Sequence, residues 1–83
     1  MTLRHYGESN GYVRATWGNG ERFARIIAGH RGGVLWCSEI TVWERGTGRS
    51  KSISSTMGLY GEEDAKEETT CRYMAGLWEK HLG

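Results

Sequence analysis

The chain has no proline among its 83 residues. That excludes polyproline linkers and Pro-rich recognition segments, and it leaves thirteen glycines to make the turns. Cysteine is nearly as scarce. Cys37 and Cys71 are too few and too far apart for a disulfide framework, and both are expected as reduced, buried thiols. The formal net charge of +1 is too small for a disordered acidic or basic tail. No run approaches the roughly 18 apolar residues that a membrane span needs, and the first twenty residues lack the apolar stretch of a secretory signal. The expectation is a soluble, cytoplasmic chain without membrane contact. At 9.4 kDa it holds one core, so residues 1–83 are expected as a single domain with no room for a large active-site cleft.

Against these absences stand four Trp, four Tyr and one Phe. In a chain this short the burial of apolar surface barely offsets conformational entropy, so the large rings must carry much of the stability. Trp17, Trp36, Trp43 and Trp78 are the anchors to expect, each able to remove on the order of 150–250 Å² from water.

Hydropathy alternates from Tyr12 to Trp17, with Val13, Ala15 and Trp17 on one side. Gly18-Asn19-Gly20 then predicts a tight hairpin, and Glu21 to Ala28 a return strand with apolar residues on both faces. After Gly29-His30-Arg31-Gly32-Gly33, the run Val34 to Arg45 is the longest strand candidate. Its row Val34, Trp36, Ile40 and Val42, interrupted by Ser38, is expected to meet the core. Arg49 to Ser55 reads as a serine-rich, cationic edge strand, and Ser54 to Gly61 as a connector. Residues 3–6 fit either a short strand or a loose arm. From Glu62 the period becomes helical, with acids at the start, Lys80 and His81 at the end, and a stripe of Cys71, Met74, Ala75, Trp78 and Leu82. The predicted architecture is α+β: a three- to four-stranded antiparallel meander within 12–55, with one long C-terminal helix over about 62–82 on one face.

Charge divides along the same line. Residues 1–61 carry eight Lys and Arg against four Glu, and residues 62–83 carry three against six acids. With the helix on one face, the other face is expected to present Arg14, Arg25, Arg45, Arg49 and Lys51 among Trp17, Trp43 or Tyr12.

Catalytic chemistry finds no support in the spacing. Cys37, Cys71, His5, His30 and His81 lack zinc-ligand spacing, so no metal is expected. Cys71 and His81 lie about 15 Å apart along a helix, too far for a hydrogen bond. Cys37 and His30 across a turn read instead as a strand cysteine and a solvated histidine. The helix acids read as a solvated face, and the glycine turns join strands rather than opening a helix, so no phosphate loop forms. No enzyme activity and no cofactor are expected.

Arg, Trp and Tyr together are the residue types of interface hot spots, and four Trp exceed what one small core hides. A Gly-rich, Trp-rich chain of this size and layout looks like the small accessory proteins of phages and mobile elements, including anti-CRISPR inhibitors. That resemblance implies a non-enzymatic inhibitor of a host protein or nucleoprotein complex, with Arg14, Trp17, Arg25, Trp43, Arg45, Arg49 and Lys51 as partner-binding residues. Over Tyr12 to Leu82 the order of cationic strands followed by a helix also resembles the AP2-like DNA-binding domains, which implies direct nucleic-acid binding as the alternative. A homodimer sealed through the exposed sheet face is a third expectation.

Overall fold

Hairpin turns fix the order of the sheet before any long-range packing is needed. The computed structural model describes the backbone of all residues and the side chains of all except Cys37, Ser38 and Ser55. The expectations of a buried Cys37 thiol, of its approach to His30, and of faces for Ser38 and Ser55 therefore lie outside the described residues. Those residues form β1 (Thr2–Ser9), β2 (Tyr12–Gly18), β3 (Arg22–Arg31), β4 (Val34–Glu44), β5 (Ser50–Leu59), α1 (Glu62–Lys66) and α2 (Glu68–Leu82). The sheet order is β1-β2-β3-β4-β5, every neighbour antiparallel, with helix on one face.

The meander is longer than the pattern predicted at both ends. Thr2–Ser9 is a full edge strand because Asn10 (φ 52°) and Gly11 (φ 78°) take the paired positive φ of a type I′ turn, folding β1 back on β2. At the other end Ser54 to Leu59 is strand, not connector, since β5 continues along β4 as far as the Leu35–Leu59 pair. The hairpin at Asn19 and Gly20 is present, but its chemistry differs. Gly20 takes the positive φ (102°), while the Asn19 N–H donates to Arg22 O and the Asn19 side-chain oxygen accepts from Arg22 N–H, both at 3.1 Å.

The buried cluster lies between one sheet face and the helices. It comprises Val13, Ala15 and Trp17 of β2, Ala24, Ile26 and Ala28 of β3, Leu35, Ile40 and Val42 of β4, Leu59 of β5, and Ala65, Met74 and Trp78 of the helices. The predicted helix phase holds: Met74 and Trp78 are buried and Cys71, Ala75 and Leu82 half-buried along one stripe. Cys71 is a free thiol whose Sγ approaches the Lys66 carbonyl at 3.7 Å.

The helix is interrupted at Glu67 (φ −55°, ψ 142°), where a continuous one was expected. In an unbroken helix the Ala65 carbonyl would accept from the amide four residues on. Here Trp17 Nε1 donates to it at 2.8 Å. Trp78 Nε1 donates in the same way to the Trp43 carbonyl at 2.9 Å, with the Arg22 guanidinium 4.3 Å from the ring centroid. Each core indole thus ties a helix to the sheet while satisfying its own donor.

Tyr6 sits half-buried beside this layer. Burial, then the nearby Glu8 and Glu62 carboxylates, raise its phenol above the ordinary value of 10.0. The folded state therefore holds this proton more tightly than the unfolded chain. The resulting stability is complete below the unfolded pKa of about 10 and is lost as pH rises through the folded value. Thermal unfolding followed from about pH 9 to 11 should show a falling Tm in the native protein and a shallower fall in Tyr6→Phe. Equal slopes would contradict the assignment.

Candidate binding face

The face of the sheet turned away from the helices is uncovered, and strand register decides what stands on it. Gly18, Phe23, Trp43 and Ser50 form one cross-strand row, and Thr16, Arg25, Thr41 and Ser52 the next. Then come Arg14, Ile27, Glu39 and Ser54, followed by Tyr12, Gly29, Trp36 and Gly58. Arg31 and Val34 close the far end.

Trp36 is a correction to the sequence reading. The register between β3 and β4 shifts by one residue between Ile27 and Ala28. Alternation along β4 inverts across that point, so Leu35 enters the core at 4% exposure and Trp36 emerges on the open face at 40%. Ser38, the polar interruption in an otherwise apolar row, was the sign of it in the sequence.

Two glycines on this face lie against aromatic rings. A Cβ on Gly29 would stand 3.6 Å from the Tyr12 ring, so that ring leans across β3 with its outer side to solvent, and Tyr12 is 60% exposed. A Cβ on Gly18 would stand 2.6 Å from the Phe23 ring, and only glycine admits that approach. Phe23 in turn stacks on Trp43, with centroids 5.2 Å apart and planes 12° apart. The Arg25 guanidinium lies 5.5 Å from the Trp43 centroid, a cation–π contact that leaves its N–H groups available. Ile27, 43% exposed, rises between Tyr12 and Trp36 on the middle strand.

No protein family, curated protein or solved structure matches the chain. The reading of this face therefore rests on its own chemistry.

Of the residues expected to bind a partner, Arg14, Arg25 and Trp43 share the open face. Trp17 does not. It is fully buried beneath the helices, because its row of Val13, Ala15 and Trp17 is the core row of β2. Arg49 belongs to the helix end: its guanidinium donates to the Leu82 carbonyl, where the helix dipole is negative, and pairs with Glu44 at 3.5 Å. Lys51 pairs across strands with the buried Val42, so it stands on the helix side of the edge strand. Arg45 lies in the β4–β5 turn, its N–H donating to Glu21 O. Tyr12 was named as a candidate only in one register, and Ile27 and Trp36 were missed, the first hidden by a strand apolar on both faces and the second by the register shift.

The ion pairs of the described residues lie off the open face. Among the described residues Arg22 pairs with Glu79, Lys66 with Glu62 and Glu63, and Arg72 with Glu68, all on the helix side or edge, whereas no carboxylate pairs with Arg14, Arg25 or Arg31. Glu39 is the one acid on the open face among them. No group of three His, Cys, Asp or Glu among the described residues could hold a metal ion, and no helix is long and apolar enough to cross a membrane.

Proposed function

We propose that the protein is a non-enzymatic binding module that occupies a protein or nucleoprotein complex with its uncovered sheet face, in the manner of the small phage and mobile-element inhibitors it resembles in size and layout. One observation carries this reading: Tyr12, Ile27 and Trp36, each at least 40% exposed, form a contiguous apolar patch on a sheet face with no covering element. A small soluble domain has no folding reason to keep three large apolar side chains together in water, and such patches mark interaction surfaces. Arginines beside aromatic rings supply the anchors that dominate interface energies.

Ile27→Asp places a charge at the centre of the patch without touching the core. In quantitative affinity capture from the natural host, the partner enriched by the native protein should be lost with Ile27→Asp and retained with Tyr73→Ser on the exposed side of α2. Equal capture by Ile27→Asp would refute the reading.

A further inference from the structure

We infer that the element seated on the open face is a single strand of nucleic acid, with bases lying on Tyr12 and Trp36 and phosphates held by Arg14, Arg25 and Arg31. This rests on the reading that the open face is the binding surface, and it names what that surface holds.

The first support is the exposure and spacing of the rings. Tyr12 lies across Gly29 with its outer side exposed, and Trp36 stands in the same row on the far side of that glycine. Two strand spacings separate their backbones, about 10 Å, so two bases of an extended strand can stack separately with Ile27 beneath the backbone between them. Base stacking needs ring surface open to solvent, and Tyr12 at 60% and Trp36 at 40% exposure both offer it.

The second support is independent of the rings. On the helix side or edge Arg22, Lys66 and Arg72 are each engaged by a carboxylate, while Arg14, Arg25 and Arg31 on the open face have none. A polyanion is drawn to that side of the molecule and repelled by the acidic helices.

Width decides between single and double strands. Five strands span about 19 Å, whereas the major groove is about 12 Å wide and takes a two-stranded ribbon. A face of that width does not fit within a duplex groove. It can carry an unpaired strand across its surface.

The test is fluorescence anisotropy with a fluorescein-labelled dT 12-mer and a 20-base-pair duplex, each at 50 and 200 mM NaCl. The single strand should bind more tightly than the duplex. With three phosphates engaged, its affinity should fall roughly 15- to 20-fold between the two salt concentrations. Trp36→Ala and Tyr12→Leu should each weaken binding on the order of 5- to 150-fold. Arg25→Ala should weaken it and flatten the salt dependence, and Tyr73→Ser should change nothing. Circular dichroism confirms that each variant is folded, and Arg14→Ala replaces any that is not. Absence of binding at 50 mM, equal affinity for the duplex, or indifference to Tyr12→Leu and Trp36→Ala overturns the inference. If Ile27→Asp still abolishes capture of the host partner in that case, the face docks a protein and only the strand assignment falls. If Ile27→Asp changes neither readout, the binding face itself is refuted.

Discussion

Trp17→Ala is expected to remove about 3–5 kcal/mol of stability, and Trp36→Ala about 1 kcal/mol or less, although both are tryptophans on strands of one sheet. Trp17 has no exposed surface, and its indole N–H satisfies the Ala65 carbonyl where the helix is broken. Truncation opens a large void and strands that carbonyl in a dry layer, so the cavity term and the lost hydrogen bond add. Trp36 already stands 40% in water, with nothing packed above it. For a domain of this size the first substitution should lower Tm by at least about 12 °C, and the second by only a few degrees. Comparable losses at the two positions would mean that the register along β4 is not the one described.

Met74→Glu should abolish the folded state. Met74 is completely buried on the face of α2 that packs against β3 and β4. No basic side chain is buried there to receive a carboxylate. Burying one without a partner costs several kcal/mol, and the lost packing of a buried methionine adds about 2–5. Stabilities of order 0.05–0.15 kcal/mol per residue give this domain roughly 4–12 in total, so the substitution consumes most or all of it. Near-ultraviolet circular dichroism of Met74→Glu should lack the fixed tryptophan signals, with no cooperative thermal transition, while Met74→Leu should retain both. A folded Met74→Glu monomer would show that this side of the helix does not meet the sheet.

The layers of the fold were legible because periodicity reports on which side of an element meets water. Val13, Ala15 and Trp17, and the stripe from Cys71 to Leu82, obey their periods without interruption, and each lies where its pattern points. Leu35 and Trp36 were misplaced for one reason. Alternation says which residues share a face only while register is continuous, and a shift between β3 and β4 exchanged the environments of Leu35 and Trp36. Charged residues were harder still. Arg49 and Lys51 read as part of a basic face, but one is drawn to the carbonyls at the helix end and the other follows the pleat to the helix side. Composition announces that arginine and tryptophan are available for recognition. Register and the end of a helix decide which of them are.

Every strand of the sheet bonds to the strand next to it in the chain, with β4 and β5 paired by the same rule as β1 and β2. The ordering entropy of this sheet is therefore met in small steps, each closing a loop of a few residues, and no step waits for distant segments to find one another. Assembly can zip outward from any one hairpin, leaving the docking of the helical segment as the last closure. Speed of folding in this molecule follows from its connectivity and needs no unusually strong local propensity.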